Sequence, residues 1–148
     1  SHPFIKIWHA GCSTGEEAYS MSILLHEEGL GERAVIYATD INSQVLEQAS
    51  KGVYHEKMLV AARENYDDTG GQNRLDDFIS VGYERFLIDP ELKKNIVFTQ
   101  HDLVTDQVFG EMQMVICRNV LIYFRRELQT KVLTLFHNSL DLLPSIYF

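Results

Sequence analysis

Polar side chains follow successive apolar runs in this 148-residue sequence, and their types are those that bind a nucleoside-like ligand. Glu16 and Glu17 come after a glycine-containing turn, Asp40 ends the next apolar run, and Arg118 and Asn119 follow a later one. A carboxylate accepts hydrogen bonds from hydroxyl or ammonium groups, and an amide side chain both donates and accepts. The pattern predicts binding and orientation of a small ligand. The two cysteines and six histidines show no metal-ligand spacing.

The acidic pair indicates which ligand is bound. A phosphate-binding loop carries a Lys after its last glycine or leaves bare N–H groups for a dianion, whereas Glu16 and Glu17 place negative charge at the start of a predicted helix. Carboxylates suit the positive end of the helix dipole and can also receive a ligand ammonium. A ligand with a cationic amino-acid part, such as S-adenosylmethionine, fits this position. The alternative is that both glutamates only stabilise the helix start.

A strand, a turn and a helix must position this pair. Residues 4–8 are rich in residues that favour a buried strand. Gly11 and Gly15 permit a tight turn, and residues 18–26 predict a helix. Ligands of open α/β sheets bind at the carboxyl ends of strands, where such turns cross the sheet.

Asp40 lies at the end of a second predicted strand, residues 34–40. In nucleoside-binding α/β folds an acid about 20 residues after the glycine turn accepts hydrogen bonds from ribose hydroxyls, and Asp40 is predicted to do so. Residues 42–50 predict a helix with one apolar face. Capping of that helix is the alternative role for Asp40, and the two roles are compatible.

Two later strands bring further polar residues to the same edge. Residues 95–100 predict a strand that leads to Asp102, and residues 112–117 predict one that leads to Arg118 and Asn119. Asp102 is suited to accept from an adenine amino group, and Asn119 can donate to and accept from an amino-acid moiety. The predicted fold class is α/β, a Rossmann-like sandwich with a mainly parallel sheet and helices on both faces.

The middle of the chain breaks this alternation. We expect residues 54–95 to form an insertion or small subdomain, because polar clusters and a Gly70-Gly71 pair interrupt any long period. Within it, residues 83–88 and 95–99 are predicted to pair as a hairpin around Asp89-Pro90-Glu91.

Composition limits the remaining possibilities. A formal net charge of −8 argues against a nucleic-acid partner, since phosphate backbones are bound by clustered Lys and Arg. The length and a hydrophobic content of 45% suit one domain over residues 1–148. Neither a membrane-spanning run nor a secretory signal is recognisable, so we expect a cytoplasmic location without membrane insertion. Cys12 and Cys117 are expected to be reduced and buried.

Three strings, HAGCSTGEEAYS, ATDIN and ICRNVLIYF, occur in this order. Together they resemble the CheR-type chemoreceptor glutamate O-methyltransferases, and the resemblance covers nearly the whole chain. It implies methylation of glutamate carboxylates on the cytoplasmic helices of chemoreceptors, with S-adenosylmethionine as cofactor and S-adenosylhomocysteine as product. The residues that the resemblance implies for the cofactor site are Gly11, Glu17, Asp40, Ile41, Asp102, Leu103, Arg118 and Asn119.

The resemblance also places Tyr123 near the transferred methyl group. Arg118 is suited to hold the substrate carboxylate by a charge-assisted hydrogen bond, and Tyr123 to direct it. The alternatives are a salt bridge from Arg118 to a nearby acid and a core position for Tyr123 among its apolar neighbours.

Three features depart from the family pattern. The family's N-terminal helical domain and its last C-terminal strands are expected to be absent from residues 1–148. Residues 54–95 also look unlike the compact three-stranded subdomain with which some members grip a receptor's C-terminal peptide.

Two other function classes stay open. One is a regulatory module that binds S-adenosylmethionine or S-adenosylhomocysteine without turnover, and the other is a methyltransferase acting on a small molecule. Arg118 together with Tyr123 favours the protein methyltransferase, because a pure binding module would need no substrate-facing pair.

Overall fold

The computed structural model describes residues 5–68, 73–102, 114–117 and 146–147. Strands and helices alternate along these ranges, as expected of an α/β fold. In chain order the elements are β1 (Ile5–Ala10), α1 (Glu16–Glu27), β2 (Ala34–Asp40), α2 (Ser43–Lys51), β3 (Val53–His55), α3 (Leu59–Asp68), β4 (Ile79–Val81), β5 (Arg85–Ile88), α4 (Pro90–Lys93), β6 (Ile96–Gln100), β7 (Met114–Cys117) and β8 (Ile146–Tyr147). None of the helices in the described ranges has the length and apolar character that crossing a bilayer requires.

The main sheet has the strand order β6-β2-β1-β7-β8, and each described pairing is parallel. The register sets Ala10 beside Thr39 on one side and beside Cys117 on the other, and it sets Asp40 beside Gln100. The carboxyl ends of four strands therefore meet at one edge. The prediction of an α/β fold with a mainly parallel sheet is confirmed.

The central strand β1 is buried along its last four residues, from Ile7 to Ala10. Parallel sheets covered on both faces require such nearly continuous burial. Trp8 is fully buried, donates its indole N–H to Thr39 Oγ1 at 2.9 Å, and packs edge-on against the ring of His101. This buried hydrogen bond joins the side chains of β1 and β2 beneath the edge where the strands end.

A second, three-stranded antiparallel sheet has the order β3-β5-β4. The predicted hairpin of residues 83–88 with 95–99 is therefore wrong, because β5 pairs with β3 and β4 while β6 pairs in parallel with β2. Asp89 caps the intervening helix α4 by accepting the N–H of Glu91, and this helix carries the chain away from β5. The expectation that residues 54–95 lack a compact three-stranded unit is also wrong.

Asn95 closes the amino-terminal edge of the main sheet, at the start of β6. Its side-chain amide donates to the carbonyl oxygens of Gly31 and Ala34. The backbone carbonyl of Asn95 accepts the N–H of Ile36 at 2.7 Å. Only 9% of Asn95 is exposed, so solvent cannot readily replace these donors.

Replacing Asn95 by Ala is expected to lower the free energy of unfolding by about 2 kcal/mol, because partly buried carbonyls lose their donor. Urea unfolding followed by circular dichroism measures the change. The matched control is Asn65→Ala, since Asn65 is exposed on α3, and a surface change of that kind shifts stability by about 0.5 kcal/mol or less. Equal effects of the two substitutions would contradict the structural role of Asn95.

Candidate functional site

The turn between β1 and α1 is a left-handed backbone segment at the carboxyl edge of the sheet. Gly11, Ser13 and Gly15 have φ angles of 71°, 52° and 93°. The Cys12 N–H donates to the Thr39 carbonyl at 2.8 Å, which extends the contact between β1 and β2 past the end of β1. Two of the three left-handed positions are glycines, which carry no Cβ penalty. Ser13 must be held there by its surroundings.

Asp40 holds Ser13 in place. One oxygen of the Asp40 carboxylate accepts the Ser13 N–H at 2.9 Å, and the other accepts the Asn42 N–H at 3.0 Å. The cap of α2 is Asn42, whose side-chain oxygen accepts from the backbone of the first helical turn. Asp40 therefore organises the glycine turn rather than capping the helix. A carboxylate has about four acceptor positions, so these two bonds leave it able to accept from ribose hydroxyls.

An apolar platform lies next to Asp40. Ile41 is 60% exposed, an unusual position for an isoleucine, and its carbonyl accepts the side-chain amide of Gln100 at 2.7 Å. The His101 N–H donates to the Asp40 carbonyl at 3.1 Å, and Asp102 follows at an intermediate level of exposure. An exposed aliphatic side chain next to an acid suits the apolar face and polar rim of a nucleoside base.

The two glutamates of the first turn of α1 have different partners. Glu17 Oε2 lies 3.0 Å from His9 Nε2, and the side chains are 44% and 3% exposed. Glu16 accepts the hydroxyl of Thr14 and thus closes the turn itself. Sequence reasoning assigned no role to His9. The available signal was a polar residue inside the buried apolar run that forms β1.

Tyr54 of β3 connects the second sheet to the turn. Its hydroxyl donates to the Thr14 carbonyl at 2.7 Å. Burial, followed by the charge of Glu16, raises the pKa of Tyr54, which keeps the hydroxyl protonated and able to donate. A Cβ on Gly15 would lie 3.0 Å from the Cβ of Ala49 and 3.3 Å from the Tyr54 hydroxyl. Gly15 thus permits both the left-handed turn and this close packing.

The structure brings together part of the predicted site at one edge. Asp40 ends β2, Ile41 follows it, and Asp102 lies two residues after β6. Gly11 and Glu17 belong to the turn and the helix that follow β1. The other predicted residues lie outside the described ranges, and their roles stay predictions: Leu103, Arg118, Asn119 and Tyr123.

Cys12 lies in the turn with its thiol buried. Burial, with a smaller contribution from the charges of Asp40 and Glu16, raises the pKa of Cys12 to about 12. The thiol is therefore protonated at neutral pH and is a poor nucleophile.

Folding raises the pKa of Cys12 from the ordinary thiol value of 9.0 to about 12. The contribution of the protonated thiol to the free energy of unfolding is therefore complete below pH 9.0 and is lost as the pH rises from 9.0 toward 12. Urea unfolding of the wild type and of Cys12→Ala at about pH 8 and about pH 10.5 measures this effect. The wild type is expected to lose unfolding free energy relative to the variant at the higher pH. Since Cys117 is present in both proteins, its titration cancels, and parallel losses would contradict the burial of the Cys12 thiol.

Comparison with known protein families gives a match over residues 1–144 to the model described as CheR methyltransferase, SAM binding domain. The cofactor predicted from the acidic turn, S-adenosylmethionine, is thereby confirmed as the ligand of the matching family. The described carboxylates fit its ribose hydroxyls and ammonium group.

Individual proteins agree with this match. The chain is 51% identical to the Pseudomonas putida protein Cher3 over 138 residues, which are 93% of this chain and 50% of that protein. It is 36% identical to a chemotaxis protein methyltransferase of Listeria innocua over 137 residues, covering 92% and 49% of the two chains. The chain thus spans about half the length of these curated relatives.

Solved structures agree on the fold. A TehB-like SAM-dependent methyltransferase from Corynebacterium glutamicum superposes with a TM-score of 0.57 at 14% identity, over 99% of this chain and 54% of that one. At this level of identity the likeness shows the fold alone. The prediction of a Rossmann-like methyltransferase fold is confirmed.

Proposed function

Because this chain belongs to the CheR methyltransferase family through its S-adenosylmethionine-binding domain, we propose that it transfers a methyl group to glutamate carboxylates of bacterial chemoreceptors. The product would be a glutamate methyl ester on a cytoplasmic helix of the receptor, and the reaction would take place in the cytoplasm. The name of the Listeria innocua relative, a chemotaxis protein methyltransferase, supports the chemotactic setting.

The observation that carries the proposal is the position of Asp40. Its carboxylate lies at the carboxyl edge of the sheet, is partly exposed, and accepts two backbone N–H groups, one on each oxygen. We assign Asp40 the role of accepting hydrogen bonds from the ribose hydroxyls of the cofactor. We assign Glu17 to bind the ammonium group of the cofactor. Gly11 is assigned to the position at which the backbone comes close to the ligand.

The adenine end is assigned to the residues that follow β2 and β6. Ile41 would cover one face of the base, Asp102 would accept from its amino group, and Leu103 and Asn119 would complete the cofactor site. Residues 1–148 would form a single catalytic domain, with the second sheet as its small subdomain.

The transfer itself needs alignment more than proton transfer. When bound, S-adenosylmethionine supplies an electrophilic methyl group on a positively charged sulfur. A glutamate carboxylate is already ionised at neutral pH, so no general base is required. Arg118 would hold the substrate carboxylate, and Tyr123 would direct it toward the methyl group. Exclusion of water and correct orientation then supply the rate enhancement.

Cofactor binding is tested by calorimetric titration of the chain with S-adenosylhomocysteine. Asp40→Ala is expected to weaken binding at least about tenfold, because hydrogen bonds from hydroxyls to a charged acceptor are lost. The matched control is Asp89→Ala, since Asp89 also accepts a backbone N–H two residues later but caps α4. Saturable binding that Asp40→Ala leaves unchanged would contradict the ribose assignment.

Methyl transfer is tested with radiolabelled S-adenosylmethionine and cytoplasmic fragments of chemoreceptors. We expect alkali-labile label on the fragment, because carboxyl methyl esters hydrolyse in base whereas methylated amines do not. Tyr123→Phe is expected to lower the transfer rate about tenfold or more, as loss of a positioned hydroxyl does, with little change in cofactor affinity. A chain that binds the cofactor but labels no fragment would favour a regulatory binding module instead.

A further inference from the structure

A buried imidazole lies beneath the first turn of α1. His9 is 2% exposed, and its Nε2 lies 3.0 Å from Glu17 Oε2. An ionised carboxylate can only accept hydrogen bonds. The Nε2–H group of the imidazole therefore donates a hydrogen bond to the Glu17 carboxylate.

The position of His9 in β1 shows that this contact is more than the filling of space. Ile7 and His9 are two residues apart, so their side chains lie on the same face of β1. Ile7 belongs to the apolar core together with Tyr19 and Ile23 of α1. An apolar residue would fit this face without the desolvation cost of a polar ring. The hydrogen bond to Glu17 offsets that cost and ties the strand to the helix.

Glu17 gains a fixed orientation from this donor. Its side chain is 44% exposed, and a glutamate at such a position rotates among several conformers, so fixing it costs conformational entropy when a ligand binds. A donor that is itself immobilised by burial removes part of that cost before binding. One hydrogen bond to His9 is compatible with acceptance from a ligand, because a carboxylate has about four acceptor positions.

We propose that His9 is a positioning residue, which orients the Glu17 carboxylate toward the ammonium group of the cofactor. This inference rests on the proposed function. It deepens that function by assigning recognition of the amino-acid part of the cofactor to the His9–Glu17 pair and recognition of the nucleoside part to Asp40.

The test compares two ligands that differ in the amino-acid part. S-adenosylhomocysteine carries it, and methylthioadenosine lacks it but keeps the nucleoside. His9→Leu is expected to lower the affinity for S-adenosylhomocysteine about tenfold, which is the scale of one charge-assisted contact. The affinity for methylthioadenosine is expected to change by less than about twofold. Calorimetry measures both affinities, and retained methylthioadenosine binding shows that the variant is folded.

Two further variants separate positioning from a structural role. His9→Gln is expected to restore most of the affinity, because its amide nitrogen can occupy about the position of Nε2. In a Glu17→Ala background, His9→Leu is expected to cause no further loss, since the contact is already gone. If His9→Leu does not fold, His9→Asn takes its place, because its shorter amide does not reach Glu17.

The possible results distinguish failure of the positioning role of His9 from failure of the proposed function. Equal weakening of the two ligands by the His9 variants, or further loss in the Glu17→Ala background, would overturn the positioning role while the cofactor site stands. Binding of neither ligand to the wild-type chain would overturn the proposed function and the role of His9 with it.

Discussion

The site depends on the two hydrogen bonds that the Asp40 carboxylate accepts from the backbone. One of them fixes Ser13, a residue with a side chain, at a φ of 52°, where backbone strain costs on the order of 1–3 kcal/mol. That acceptor therefore holds the middle of the segment between Gly11 and Gly15, where the strained residue lies. The course of the turn, and through it the start of α1, therefore depends on a carboxylate at the end of β2.

The same residues support both the fold and the proposed chemistry. Tyr54 joins the second sheet to the Thr14 carbonyl, and His9 joins the core of β1 to the first turn of α1. The glycine turn is thus held by Asp40 of β2 and Tyr54 of β3, while His9 of β1 holds the first turn of the helix that follows it. A site built in this way is preorganised, because little rearrangement is left for the ligand to cause.

The main sheet could be predicted from the sequence because its strands are long enough to be recognised as apolar runs. Residues 34–40 and 95–100 are apolar runs with polar ends, and their polar ends mark the ligand edge. The second sheet escaped prediction because β3 and β4 have three residues each, too few to show alternation, and β5 pairs with a strand some thirty residues earlier. His9 escaped because its contact with Glu17 crosses a left-handed turn, for which no fixed sequence spacing exists.

The spatial order of the strands sets three acids of the described residues along the edge. Along the order β6-β2-β1, these acids are Asp102 two residues after β6, Asp40 at the end of β2, and Glu17 in the helix that follows β1. Three acids suit the adenine amino group, the ribose hydroxyls and the ammonium group, which are all hydrogen-bond donors. The chain carries a formal net charge of −8, so the anionic substrate that we propose requires a local cationic group, a role assigned above to Arg118.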